Sequence, residues 1–410
     1  MSTESTASRA LDQGDGIVRF APNWVPRFLS VPGKRLRLHP DDYYTLGAQR
    51  GGISERWFAS TMKADNGPLT APNEGLSEIV MEDGGSEKRI LFRDAVSALK
   101  QELIGETLWQ EHGGWPMYSK LFDTRGAIPF HIHHRDCHAK LVDQIGKHES
   151  YYYPPQLNNH SGDFPYAFFG FDPGTTKAQV RDALVNFSKG DNKILNLSRA
   201  YKLEPGTGWD VPTGILHAPG SLCTYEPQRN SDVRAVYQSL AGTRVISEEM
   251  LWRDSPPEKR GDYDYLIEVL DWEANIDSQF FAHHFMPPLP VRPLEEMIGF
   301  VERWICYRSP HYSAKELTIN PGQVVPLSDA GAYGFIVVQG HGKIGKWKVE
   351  SPGMIRYGQL TCDEFFVSAK AARDGVVFVN ESSCEPLVIL KHFGPANPEL
   401  KTFLIGKNFL

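Results

Sequence analysis

His131 and His133 sit one residue apart in Pro129-Phe130-His131-Ile132-His133. Residues i and i+2 of a strand project from one face, so the two imidazoles can turn toward a common point. A carboxylate follows at Glu149, within Gly146-Lys147-His148-Glu149-Ser150-Tyr151. A third imidazole, His217, closes the string Gly206-x5-Pro212-x-Gly214-x2-His217, which reads as a strand, a tight turn and a strand that opens with histidine. Three imidazoles and one carboxylate suit Zn, Fe, Mn, Co or Ni, with one or two positions left open for water or substrate. A His-x-His pair alone also arises on solvated strands. The carboxylate and the Pro-x-Gly-x-x-His string make it a candidate metal site.

The elements that must carry these residues are mostly strands. Residues 118–133 read as two strand pieces around a turn. Strand patterns return between 201 and 240, with Val211-Pro212-Thr213-Gly214 as a turn, and again from 312 onward as short runs separated by glycine. Ile90, Leu91, Ala95, Leu99 and Leu103 have helical spacing and predict an amphipathic helix over 85–103. Residues 176–200 predict a helical pair split at Ser188-Lys189-Gly190. Residues 1–16 read as a flexible tail, and the proline-rich stretch 241–300 as a connecting linker.

The chain has 410 residues, 41% hydrophobic and 23% charged, which excludes wholesale disorder. At this length a single core stops growing (the limit is roughly 250–300 residues), so two or three modules are expected. No apolar run approaches the roughly 20 residues of a membrane span, and residues 1–16 lack the apolar region of a secretory signal. The 5 cysteines (Cys137, Cys223, Cys306, Cys362, Cys384) are scattered with no Cys-x-x-Cys, which fits a reducing cytoplasm. A net charge of -7 without lysine or arginine blocks argues against nucleic acid, and nothing in it points to a membrane surface.

The His-x-His, Glu and Gly-x5-Pro-x-Gly-x2-His combination resembles the two motifs of the cupin superfamily. The long gap between His133 and Glu149 (residues 134–148) is similar to that of one branch, the type I phosphomannose isomerases. Further strings resemble that branch: Glu55-Arg56-Trp57-Phe58-Ala59-Ser60 with Asn66-Gly67-Pro68, Lys120-Leu121-Phe122-Asp123, Lys147-x-Glu149, Phe169-Gly170, Val211 to Ala218, Glu226 to Asp232, and Leu266 to Asn275. The resemblance covers roughly residues 50–275, with a weaker C-terminal half. His131 stands where that family has Gln, a ligand-competent change. Arg234 follows Asp232 at +2 rather than at the family's +4.

The resemblance implies a mainly β fold of two cupin-type jelly-roll barrels, with a small helical insert in the first. The first barrel would span 17–240 and hold one divalent metal, zinc first, with Mn, Co, Ni or Fe as alternatives, on His131, His133, Glu149 and His217. The second barrel, 301–410, has neither motif and would hold no metal. The implied activity is an aldose–ketose isomerase acting on a hexose or hexose phosphate through a cis-enediol, with mannose 6-phosphate and fructose 6-phosphate as the pair. Lys147, Glu226 and His148 are the candidate proton-transfer groups. Arg234 is the candidate for stabilising oxyanion charge, or else an arginine paired to Asp232 at the rim. His134 points away from the ligand pair by strand parity, and at most one face of Tyr151-Tyr152-Tyr153 can line a pocket. A non-catalytic sugar-binding cupin and a metal-dependent cupin oxygenase are the rival readings.

Overall fold

The computed structural model describes residues 2–158 and 164–406. Four antiparallel sheets stack in layers. A five-stranded sheet (Ser198–Lys202, Tyr166–Phe171, Leu216–Ala218, His131–Ile132, Ala235–Val236, in spatial order) packs on a seven-stranded sheet. The latter runs Phe285–Met286, Gly208–Val211, Glu149–Tyr152, Thr224–Arg229, Met117–Phe122, Gly52–Phe58, Asn23–Arg27. Phe122, Tyr151 and Trp209 of one sheet meet Ala167 and Phe169 of the other in the core between them.

The far face of the seven-stranded sheet is buried too. Ile53, Leu121, Tyr152 and Tyr225 pack against Trp304, Ala314, Ile336 and Leu390 of a nine-stranded sheet. Consequently Met117–Phe122 and Glu149–Tyr152 are buried at every position. A four-stranded sheet covers the other face of the nine-stranded one through Ile344, Val376 and Phe378. The fold is therefore mainly β, in antiparallel sheets of cupin-like type.

Several expectations are corrected. The first residues are not a flexible tail: Thr3–Gln13 is a helix, N-capped by the Ser2 side chain, which accepts from the Ser5 N–H. Its small stripe of Ala7, Ala10 and Leu11 packs against Phe20, Ile79 and Met81. That stripe has helical spacing, but its residues are too small to stand out in a polar stretch. The module boundary at 17–240 also fails. Ile17–Ala21 pairs with Glu364–Val367, so the N-terminal strands complete the C-terminal nine-stranded sheet.

The helix expected over 85–103 starts later, at Phe92, and breaks at Lys100, whose φ is 52°. Ser86–Leu91 is instead the second strand of a hairpin with Glu78–Asp83, turned at Gly84-Gly85 with φ of 60° and 84°. Both turn positions lie where glycine is favoured, and hairpin pairing outweighs the helical periodicity of Ile90 and Leu91. In 176–200 a single helix, Lys177–Val185, is followed by two 3-10 turns and a strand at Ser198–Lys202. The stretch 241–300 is no loose linker. Its helices Glu248–Leu251 and Tyr263–Val269 seat Leu251, Tyr265, Leu266 and Val269 in one cluster with Ile132, Leu216 and Val236. No helix among the described residues is long and apolar enough to cross a membrane.

The two large sheets are also joined electrostatically. Arg56 donates to both oxygens of Asp363, at 2.7 and 2.8 Å, and lies 3.3 Å from Glu364. Burial, with the Asp363 charge beside it, pushes Glu364 up to about 8 despite Arg56. The folded chain thus holds a proton that the unfolded chain, near the ordinary value of 4.5, has released. This contribution to stability is complete below about pH 4.5 and is lost as pH rises toward 8. Glu364→Gln should give a shallower fall in unfolding free energy across that window, measured by urea titration at several pH values. Slopes identical to those of the wild type would show that Glu364 does not titrate there.

Candidate metal centre and its cavity

His131 and His217 face each other across adjacent strands of the five-stranded sheet, where they are paired in register. Gly214 makes the preceding turn with φ of 86°, and a side chain there would meet the Asp271 backbone at 2.9 Å. Asn275 holds the turn by accepting from Leu216 N–H at 2.9 Å and donating to Gly214 O at 2.7 Å. His133 follows two residues after His131 on the same face. The ligand atoms of His131, His133 and His217 all lie within 4.8 Å of one another, and all three rings are buried.

Each ring is oriented by its backbone. His131 Nδ1 reaches Pro129 O at 2.8 Å, His133 Nδ1 reaches Val233 O at 2.7 Å, and His217 Nδ1 reaches Ile215 O at 2.8 Å. A carbonyl only accepts, so each Nδ1 carries the proton and each Nε2 presents a lone pair to the shared centre. Burial and the neighbouring rings hold His131 well below its ordinary value; burial and Lys147 push His133 down to about 3. Neutral imidazoles are the ligand-competent form.

Glu149 comes from the opposing seven-stranded sheet. Its Oε1 is 2.9 Å from His217 Nε2 and its Oε2 3.2 Å from His133 Nε2. His217 Nε2 is buried with no hydrogen-bond partner among the described residues. An orphaned lone pair facing two more imidazoles and a carboxylate fits one divalent metal ion, and the donor set suits zinc. Burial would raise Glu149, but Lys147 overcomes it and keeps the carboxylate ionised.

From Glu149 a chain of alternating charge crosses the wall of a cavity of about 580 Å³. Lys147 Nζ lies 2.6 Å from Glu149 and 3.3 Å from Glu226. Lys120 lies 3.1 Å from Glu226 and 3.7 Å from Glu55. Arg27 is 3.0 Å from Glu55 and 3.2 Å from Asp232, and Arg234 is 2.9 Å from Asp232. Burial and the Glu149 charge raise Glu226 to about 8 even with two lysines beside it. Burial opposes ionisation of Asp232 as well, but Arg234 and Arg27 hold it well below the carboxylate range.

Strand parity sorts the remaining candidates. Lys147, Glu149 and Tyr151 face the cavity, and Tyr151 donates its hydroxyl proton to Glu149. His148 faces the other way and is bonded to Asp210 at 2.9 Å, so it stands apart from the site in which it was expected. Tyr152 turns to Glu316, and Trp115 packs in the core beneath the helices. His134 is buried away from the ligand group with both ring nitrogens unpartnered among the described residues. Arg234 lines the cavity and is paired to Asp232.

Sequence reasoning did not assign Arg27, Glu55 or Lys120 to the site. Alternation along 52–58 and 117–122 would have put Glu55 and Lys120 on inward faces, had the buried charge been expected. Arg253 and Arg260, at the exposed end of the cavity, lie in the presumed linker and carry no signal of their own.

The fold is that of solved phosphomannose isomerases over nearly the whole chain. The mannose 6-phosphate isomerase of Bacillus subtilis matches with a TM-score of 0.57 and 16% identity, over 92% of this chain and 99% of that one. A variant of the phosphomannose isomerase from Salmonella typhimurium matches at 0.59 and 11% identity, over 93% and 100%. A zinc-bound mannose 6-phosphate isomerase matches at 0.60 and 11% identity, over 93% and 100%. No protein-family profile and no curated protein sequence matches the chain.

A single equivalent of zinc should raise the Tm of metal-free protein, because an ion bound only by the folded chain stabilises it. His217→Ala should weaken zinc binding by more than the roughly 10–100-fold typical of losing an outer partner. Calorimetric titration of the two proteins checks this; equal affinities would remove His217 from the ligand set.

Proposed function

We propose that the chain is a metal-dependent aldose–ketose isomerase that interconverts mannose 6-phosphate, or a related hexose phosphate, with its ketose through a cis-enediol. The observation that carries this reading is the buried His131–His133–Glu149–His217 group at the inner end of a cavity whose wall also holds Lys147 and Glu226, 3.3 Å apart. The architecture supporting it is read as two cupin-type barrels: the five- and seven-stranded sheets around the metal ligands, and the nine- and four-stranded sheets without them.

The reaction moves one proton from C2 to C1 and one hydroxyl proton between O1 and O2. A base must take the carbon-bound proton and return it one carbon away. Glu226, raised to about 8, is mostly protonated at neutral pH with a smaller share of the base form, so either form is within reach for the two halves of that transfer. Lys147 stays protonated because Glu149 and Glu226 outweigh its burial, and it donates a hydrogen bond to a sugar oxygen. A divalent metal, zinc first, would supply Lewis-acid polarisation of the sugar oxygens when held by the four ligands. Closing this chemistry inside a buried end keeps water from the enediol.

The phosphate end follows from charge. Arg234, Arg253 and the exposed Arg260 line the cavity away from the buried histidines. Arg253 pairs with Asp65, whereas Arg260 has no ion-pair partner among the described residues and is open to a phosphate. The five cysteines are free, which suits a reducing compartment, and we assign the activity to the cytoplasm.

A coupled assay with mannose 6-phosphate and zinc-, manganese- or cobalt-loaded protein tests the reading. Turnover should vanish in His217→Ala. Glu226→Gln should lower kcat by roughly 10²–10⁴, the usual worth of general acid–base help. No turnover with any of these metals would exclude the isomerase reading. In the same assay Arg260→Ala should raise KM for mannose 6-phosphate and leave KM for unphosphorylated mannose alone; parallel changes would place the phosphate elsewhere.

A further inference from the structure

A second cavity, of about 200 Å³, lies away from the metal centre and shares no lining residue with the first. It opens where residues 34–43 are stitched to the C-terminal half. Leu38 bridges Ile355, His39 N–H donates to Ile355 O at 2.8 Å, and Ile355 N–H donates to Arg37 O at 2.8 Å. Three cations line it, Lys34, Arg35 and Arg37, and no carboxylate does.

The three cations are not equally compensated. Arg35 is neutralised by Asp123 at 2.7 Å. The Arg37 guanidinium bonds only neutral acceptors, Ser351 Oγ, Pro352 O and Val338 O, and forms no ion pair among the described residues. Lys34 is exposed and likewise forms none. Burial lowers Arg37, and the more distant Asp363 charge offsets that only in part. A phenol adds a further donor. Tyr43 is 2% exposed, lines this cavity, and its hydroxyl has no hydrogen-bond partner among the described residues. Burial raises Tyr43 above its ordinary value, so the group is a protonated donor at neutral pH.

A buried donor left unmade is costly, and so is an unpaired half-buried guanidinium. One ligand removes both costs: an oxyanion that accepts from the phenol while balancing Arg37 and Lys34. Water could meet the phenol, but it carries no charge for the guanidinium. We infer that this cavity is a second anion site, taking inorganic phosphate or the phosphoryl group of a small ester and tying residues 34–43 to the 351–357 loop. At roughly 30 Å³ per water molecule the space equals about seven waters, which admits a phosphoryl group. Bound there, the anion stabilises the junction of the two halves, by an amount that grows with the logarithm of its concentration once the site is filled.

The test is calorimetric titration of the full chain with inorganic phosphate at constant ionic strength, in an Arg253→Ala/Arg260→Ala background that weakens phosphate binding in the larger cavity. Saturable binding is expected. Lys34→Gln and Tyr43→Phe, which leave the packing in place, should each weaken it about tenfold, the worth of one hydrogen bond or ion pair to a charged group. Absence of saturable binding, or an affinity untouched by both substitutions, overturns the inference. Repeating the titration with glycerol phosphate separates the two sources: tighter binding than phosphate assigns the ester, weaker binding the free ion. None of these outcomes depends on isomerase turnover, so failure of the activity and failure of this site are read separately.

Discussion

Charges taken out of water must find charges. Eight ionisable groups, buried or nearly so, run from the rim of the main cavity to the metal ligands: Arg234, Asp232, Arg27, Glu55, Lys120, Glu226, Lys147 and Glu149. Four are cationic and four anionic, and each of the six between the two ends contacts groups of opposite sign on either side. The arrangement tolerates no gap, because an ion left without its partner costs several kcal/mol, more than most single contacts supply. It also sets the chemistry. Glu226 sits between two lysines yet beside the Glu149 charge, and the balance leaves its proton neither firmly held nor firmly lost. Burial and the Glu149 charge push it up while the two lysines pull it down.

The row needs a rigid carrier, and the layered sheets supply one. Lys120, Glu149 and Glu226 all lie on the seven-stranded sheet, whose other face is sealed by the nine-stranded sheet. Tyr225, next to Glu226, points the opposite way and is 2.9 Å from His392. Each site residue is thus fixed by a neighbour of opposite parity anchored in the layer behind. The C-terminal half, which has no His-x-His or Pro-x-Gly-x-x-His motif of its own, contributes by backing the sheet that bears Lys120, Glu149 and Glu226. The Arg56–Asp363 pair and the exchange of N-terminal strands bind the two halves into one unit.

Much of the candidate metal centre was legible in residue order. His131 and Glu149 sit on strands, His133 directly follows one, and His217 follows a turn that favours glycine at 214, so type, parity and turn chemistry were enough to nominate these four residues. The same parity separated Tyr151 from Tyr152. Where the reading went astray, a local pattern had two solutions. Ile90 and Leu91 fit a helix or a hairpin, and the alanines of the first helix were too small to register. The proline-rich stretch gave no sign that Arg253 and Arg260 would return to the cavity.

What the sequence by itself determined is therefore the set of ligand types and the faces on which they lie, because the strand repeat and the demands of a Pro-x-Gly turn are local properties of the chain. Only the tertiary structure decided which charges meet. The contacts of Arg27 with Asp232 and of Lys120 with Glu226 join segments over a hundred residues apart. It also decided that His148 looks away from the site and that Glu226 is pushed up to about 8. Those outcomes depend on desolvation and on the distance between charges, and neither exists until the sheets have packed.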